Sequence, residues 1–443
     1  VMHDDNQLKD VLLIAYYFPP AGGPAAQRIL QFVKNLPAYG WRPTVLTVGE
    51  GAFPDSDRSL LEKVPETIDV HRTRSWDPFA WYSRLVSRDM EEKEDVPAGS
   101  LGESSRSFLE RAARWVRANI FIPDARVGWW PFAVNEGKHL LASGRFEAIL
   151  STGAPHSVHL IGRSLHRSTG VPWLADLHDP WTDISYYDEF PHTRLARSID
   201  TGLERSVLRE ASTVTTVSPS WKRLFEEKGA SRCVVVENGF SNEAFEGSPA
   251  PPEDEFIFSY VGRLYASRNP IIVWDALEQL RQEREIPDLR VRLIGTVDAS
   301  VRRHVADRGL EDCVEYAGFV PHEEALRAVM QSRLLMLVIE EFEQSDGMIT
   351  SKLYEYIASE RPVLGIGPPE GDAAALLAAT GVGRMFGWNG SRVSLARFIR
   401  EHYRAWEEGH PIEGALREDL QSHTWQAQTG RLAEALDRLS DDK

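Results

Sequence analysis

The sequence predicts an α/β protein of two doubly wound domains, and three stretches carry that expectation. Lys9 to Tyr17 is an apolar run followed at once by the turn FPPAGGP and then by a helical stripe. Phe256 to Val261 is a second apolar run, closed by Gly262. Leu334 to Ile339 is a third, short enough for a strand buried on both faces. In each case a strand runs into a turn and then a helix, the repeat of a parallel sheet, whose ligands gather beyond the carboxyl ends of the strands.

The third stretch shows the pattern most fully. After Ile339 comes a charged loop, then Thr350 and Ser351, whose hydroxyls suit a helix N-cap, and Leu353, Tyr356 and Ile357 at the spacing of one buried face. Pro362 ends that helix, and Val363 to Ile366 reads as the next buried strand. A helix N-terminus at the end of a parallel strand offers free amides and a positive dipole, so a phosphate is its natural guest. Lys352 and Glu355 share one helical face. The ordinary reading of such a pair is a solvated ion pair, but only nine of the 50 basic residues are lysines, which also suggests phosphate contact for Lys352.

The first unit follows the same logic. Ile29, Phe32, Val33 and Leu36 form a helical stripe, Gly40 stops it, and Thr44 to Val48 is the next strand. Gly22 and Gly23 lie between strand and helix, where a missing side chain lets a phosphate or sugar approach the backbone. No G-x-G-x-x-G stands at this turn, which argues against a dinucleotide oxidoreductase. Residues 51 to about 130 read as an irregular insertion. Its Asp55-Ser56-Asp57 has the spacing of a metal-holding pair, but proline-bounded acids of this kind are turns.

Alternation then resumes. Ala148 to Ser151, the helix from Ser157 to Gly170 and Pro172 to Leu177 make the next unit, with His178 and Asp179 at the carboxyl end of its second strand, facing the ligand side. His178 there is the candidate to meet an attacking hydroxyl, with Asp179 beside it, and His156 after the Gly153-Ala154-Pro155 turn is an acceptor-side candidate. Ser212 to Val217 and Cys233 to Val236 complete the set. The stretch 240 to 255, rich in proline, glycine and acid, reads as a linker, dividing the chain into 1–240, 241–420 and a last helix within 421–443.

Composition bounds the function classes. A chain of 443 residues with 42% hydrophobic content supports two or three cores. A formal charge of −16 excludes a broadly nucleic-acid-binding surface. Two cysteines, Cys233 and Cys313, make neither a disulfide framework nor a metal-ligand spacing. The start VMHDDNQLKD lacks a signal pattern and no apolar run is long enough to span a bilayer, so the expected location is cytoplasmic. From Arg106 to Phe121 an apolar arc (Leu109, Ala112, Ala113, Val116, Ile120) opposes four arginines, and two readings stand: packing on the first domain, or peripheral contact with the inner face of a membrane.

These motifs resemble glycosyltransferase family 4, retaining enzymes of the GT-B fold. LYEYIASERPVLG is similar to the family segment whose glutamate binds the donor ribose, which falls on Glu355. The family's preceding glutamate, eight positions back, is here Gly347, with Asp346 the nearest substitute. The resemblance implies that Arg263, Arg268 and Lys352 grip the diphosphate of a nucleotide-sugar donor, that Thr350 and Ser351 offer it backbone amides, that the Gly22-Gly23 loop lies at the donor, and that His178 stands near the reacting carbon. Val314 to Val320 resembles the segment that lies along the nucleotide base. The fold it implies has two Rossmann-like domains facing across a cleft, with a terminal helix crossing back to the first. The implied activity is metal-independent glycosyl transfer to a saccharide, lipid-linked or small-molecule acceptor, in cell-surface polysaccharide or glycoconjugate synthesis, with no cofactor beyond the donor. A nucleotide-sugar epimerase of the same fold and a non-catalytic binding module are the alternatives.

Overall fold

The structure, a computed structural model, describes residues 8–51, 53, 55–76, 108–245, 250–410 and 420–441. Residues 77–107 of the stretch read as an insertion, with its EEKED tract and Arg106, lie outside them. The chain divides into two compact units, Val1–Glu237 with Trp425–Lys443, and Asn238–Thr424.

The first unit is built on a seven-stranded sheet. Its strands are β1 (Lys9–Ile14), β2 (Trp41–Val48), β3 (Val70–Thr73), β4 (Phe146–Gly153), β5 (Trp173–Leu177), β6 (Thr213–Thr216) and β7 (Cys233–Val235), in the order β3-β2-β1-β4-β5-β6-β7. Every pairing is parallel. The strand order reverses between β1 and β4, the place where a doubly wound sheet opens a ligand crevice. Both faces are buried: Leu12 and Ile14 of β1 join one apolar cluster, Val11 and Leu13 the other.

Ordered elements within 51–130 and at its end correct the reading of that stretch as irregular, among them an edge strand, the helix Phe108–Asn119 and a helix beginning at Trp130. Val70–Thr73 is an edge strand, with Val70 opposite Val45, and Trp130–Leu141 is a helix. The strand escaped notice because VHRT has four residues, two of them charged or titratable, and an edge strand needs little apolar signal. The helix opens on aromatic residues and Pro131, which looks like a break but sits in the first turn, where proline costs no hydrogen bond.

The second unit carries six parallel strands: β8 (Phe256–Val261), β9 (Leu289–Ile294), β10 (Val314–Gly318), β11 (Leu334–Val338), β12 (Val363–Ile366) and β13 (Gly383–Phe386). They run β10-β9-β8-β11-β12-β13, so the order reverses between β8 and β11. The unbroken apolar run of β11 has the expected cause. Leu334, Met336 and Val338 pack in one cluster while Leu335, Leu337 and Ile339 pack in another.

The last helix, Trp425–Asp441, belongs to the first unit. Leu432, Ala433, Ala435, Leu436 and Leu439 join the cluster of Val11, Leu13, Ile29, Phe32 and Trp41. Polar contacts orient it: Asp437 accepts from Lys9 Nζ at 3.0 Å and from Trp41 Nε1 at 3.1 Å, and Tyr39 donates to the Gln426 carbonyl at 2.7 Å. Each leucine buried here contributes about 1.5–3 kcal/mol, so three together exceed what a marginal domain can lose without consequence. Truncation before Trp425 is therefore expected to strip amide protection from the helix Gly23–Asn35 and from β1 and β2. Hydrogen exchange with protection there unchanged would contradict the packing assigned to the helix.

Candidate functional site

In the first unit the predicted histidine stands over a carboxylate that sequence reasoning passed by. Asp176 is the fourth residue of β5 and is fully buried. It accepts from Arg28 Nε at 3.1 Å and Nη2 at 2.9 Å, from Thr152 at 2.8 Å and from Thr215 at 2.8 Å, and His178 Nε2 lies 3.0 Å away. Arg28, itself 1% exposed, also donates to the carbonyls of Val236 and Glu237 at 2.8 Å each. A buried carboxylate by itself is costly, but Arg28 and then His178 outweigh the burial and hold Asp176 well below the usual carboxylate range.

This arrangement sets the tautomer of His178. Thr152 has one hydroxyl proton and gives it to Asp176, so the 2.8 Å contact between Thr152 Oγ1 and His178 Nε2 requires the ring nitrogen to donate. Nε2 then carries a proton shared between hydroxyl and carboxylate, and Nδ1 is the ring atom left with a lone pair in the neutral form. An imidazole held this way can take a proton at Nδ1 and have the resulting charge stabilised by Asp176. The carboxylate at 3.0 Å from His178 is Asp176, two residues before it; the adjacent Asp179 is half-buried beyond the strand end.

Two other expectations for this unit are corrected. Gly22 does not face open space: its N–H donates to the Asp55 carbonyl at 2.9 Å, and a Cβ there would lie 3.4 Å from that of Asp55. Its missing side chain makes room for the 55–57 turn, in which Asp57 accepts from Ser59 N at 3.0 Å, as an Asx turn requires. Gly23 has φ of 84°, a conformation that favours glycine, at the start of the helix Gly23–Asn35. His156 is 7% exposed and stacks on Trp181 with ring centres 4.8 Å apart, and neither ring nitrogen meets a hydrogen-bond partner. Burial holds it neutral, so His156 acts as an aromatic packing residue.

In the second unit the expected residues converge where β8 and β11 end. Lys352, in the first turn of the helix Ser351–Ala358, places Nζ 4.6 Å from the Tyr260 ring centre and 3.3 Å from its hydroxyl. Gly262, at φ of 127°, makes this approach possible, since a Cβ there would come within 2.5 Å of the ammonium. Thr350 is the N-cap residue by backbone geometry but its hydroxyl makes no capping hydrogen bond, contrary to expectation, and Oγ1 is buried without a partner. Ser351 follows it, half-buried, as the first helical residue. The helix thus begins with an uncommitted hydroxyl beside its open amides.

Lys352 and Glu355 are not each other's partner. Glu355 Oε1 lies 3.5 Å from His322 Nε2, and burial raises its carboxyl, with His322 and Lys352 pulling the other way. Arg268, expected at a diphosphate, instead pairs with Glu340 at 3.2 Å. Glu340 stands two residues past the end of β11 and is 14% exposed, a carboxylate the sequence reading did not single out. Asp346 sits on the short turn Ser345–Gly347, exposed, its backbone close against Gly371. Arg263 follows Gly262, and its carbonyl accepts from the Tyr260 hydroxyl at 3.0 Å. Among the described residues no group of three or more His, Cys, Asp or Glu is placed to hold a metal ion.

Comparison with known proteins bears on both halves. Residues 22–239 match the glycosyl transferase 4-like domain, and residues 241–366 match the glycosyl transferases group 1 domain. No curated protein matches the chain. Among solved structures, a sucrose-phosphate synthase from Thermosynechococcus elongatus superposes with a TM-score of 0.67 at 16% identity, over 98% of this chain and 100% of that one. Anabaena HepE in complex with UDP and glucose gives 0.55 at 16%, over 98% and 97%. WaaG, a glycosyltransferase involved in lipopolysaccharide biosynthesis, gives 0.56 at 12%, over 96% and 99%. At such identities the likeness shows the fold.

Arg28→Ala is expected to destabilise the first unit by about 3–5 kcal/mol, because Asp176 is left buried and uncompensated, whereas Arg28→Met with Asp176→Leu should recover most of the loss. Urea unfolding checks both. The sign with pH follows from the depressed carboxyl: the native pairing is worth most above the unfolded value near 3.8 and is lost as pH falls through the lower folded value, so wild type and Asp176→Asn should converge in acid.

Proposed function

Since the chain belongs to the glycosyltransferases that carry a 4-like domain followed by a group 1 domain, and has their GT-B fold, we propose that it is a retaining enzyme transferring a sugar from a nucleotide-diphosphate donor to a hydroxyl acceptor. The observation that carries the donor assignment is the meeting, where β8 and β11 end, of the Lys352 ammonium, the unpartnered Thr350 hydroxyl and the N-terminus of the helix Ser351–Ala358. Arg263 and Lys352 neutralise the diphosphate and Glu355 accepts from the ribose hydroxyls. Arg268 must exchange Glu340 for the diphosphate to join them.

Negative charge grows on the departing diphosphate as the glycosidic bond breaks, and preorganised cations stabilise it there. These side chains supply that charge without a divalent ion. On the first unit His178, protonated at Nε2 by its contacts with Thr152 and Asp176, offers Nδ1 to the acceptor hydroxyl or the donor sugar. Attack from the face the diphosphate leaves retains the anomeric configuration. A role in cell-surface glycan or glycoconjugate synthesis and a cytoplasmic location fit this reading.

Glu355→Ala and Arg263→Ala are each expected to weaken UDP or GDP binding by about tenfold in titration calorimetry, the scale of one charge-assisted hydrogen bond. Unchanged affinity in both would defeat the donor site. His178→Ala should lower turnover by about 10²–10⁴-fold while donor affinity stays within about twofold. Product made in the presence of chelator, with its anomeric linkage read by proton NMR coupling as that of the donor, completes the test. Inversion, or activity restored only by magnesium or manganese, would overturn the mechanism. Conversion of the donor without any acceptor would instead mark an epimerase.

A further inference from the structure

The helix Arg194–Glu210 separates its charges by depth. Its carboxylates Asp200 and Glu204 are buried, at 2% and 0% exposure, where Asp200 accepts from Trp181 and Tyr187 and Glu204 from Thr182 and Lys228. Its arginines Arg194, Arg197, Arg205 and Arg209 are exposed. Arg194, Arg197 and Arg205, with Ser198, Thr201 and Gly202, line a shallow depression of about 530 Å³. Among the described residues, only Arg197 of these three has a carboxylate partner, Asp188, itself largely exposed. Beside the depression the same helix presents Leu195 at 70% exposure and Ile199 at 45%.

A second helix continues this surface. Phe108–Asn119 is tied to the segment leading into Arg194–Glu210: Arg114 donates to the Glu189 carbonyl at 3.0 Å, Asn119 to the Pro191 carbonyl at 2.9 Å, and Thr193 N to Asn119 Oδ1 at 2.7 Å. It contributes exposed Trp115 at 47%, Ile120 just beyond it at 62%, and exposed Arg111 and Arg117. The face therefore combines aliphatic and aromatic side chains standing into solvent with an excess of arginine, on a protein whose formal charge is −16. Repulsion from the remaining surface makes an anionic partner the complement of this face alone, and the exposed apolar side chains require that partner to have an apolar interior.

We propose that the joint face of the helices Phe108–Asn119 and Arg194–Glu210 docks on the surface of an anionic lipid bilayer, the arginines meeting lipid phosphates while Trp115, Ile120, Leu195 and Ile199 enter the acyl boundary. The proposal does not depend on glycosyl transfer. Under it the first helix serves both of its readings: Ala118 is buried while Trp115 is exposed.

Flotation of the full chain with phosphatidylcholine vesicles containing phosphatidylglycerol, against phosphatidylcholine alone, tests it. The protein should float with the anionic vesicles only and release them at high salt. Arg194→Glu with Arg205→Glu should lower partition by at least about 25-fold, on the basis of about fivefold per arginine. Leu195→Ser with Ile199→Ser should lower it by about tenfold or more. All four positions are exposed, so thermal melting followed by circular dichroism should match wild type. No flotation on anionic vesicles, equal flotation on both kinds, or either double variant partitioning like wild type would overturn the assignment.

Discussion

The carboxylate of Asp176 is the constraint around which the first unit is arranged. It lies in the middle of the sheet, out of reach of water, and would be untenable without the guanidinium of Arg28 laid against it in a fork. Arg28 in turn fixes the helix Gly23–Asn35 to the carbonyls at the end of β7, while Thr152 and Thr215 draw in the strands on either side of β5. One ionic group thus ties together a helix and three adjacent strands. Its last contact is with His178, so the group that stabilises the sheet also orients the imidazole.

Such a centre joins stability to chemistry at one atom. A buried ion pair is a poor source of net stability compared with apolar packing of equal volume, so its presence in the core calls for another reason. Fixing the tautomer of His178 supplies one. A histidine anchored only by solvent could present either nitrogen, whereas the Thr152 hydroxyl and the Asp176 carboxylate admit only a donor at Nε2.

The second unit uses a different device. There the helix beginning at Ser351 supplies partial positive charge through its backbone, and Lys352 adds a full one over the Tyr260 ring. Gly262 supplies the space for it. Arg268 of this region is held by Glu340, so part of its cationic capacity is stored in an internal pair rather than displayed. On the proposed reading an anion is bound there by exchange of partners, and the strength of the internal pair sets how much of the gross interaction survives as affinity.

How much of this was legible beforehand differs by level. The two wound sheets were, because strands buried on both faces must be apolar throughout and helices between them must carry one apolar stripe, patterns that survive without knowledge of the partners. The edge strand Val70–Thr73 was not, since an edge asks little of its sequence. Lys352, Glu355 and His178 could be picked out because they stand just past strands or at a helix start. A signal for Asp176 was also present, an acid inside the apolar run LADL, as was one for Arg28 within a buried stripe. Neither names its partner: 148 positions separate them, and only the closing of the sheet brings the two charges to 2.9 Å. The sequence by itself determined the periodicity of the strands and helices and the stations of the chemical groups along them. Tertiary structure alone decided the pairings, Asp176 for His178, Glu340 for Arg268 and Tyr260 for Lys352, because a charge taken out of water is claimed by the nearest group in space that can satisfy it.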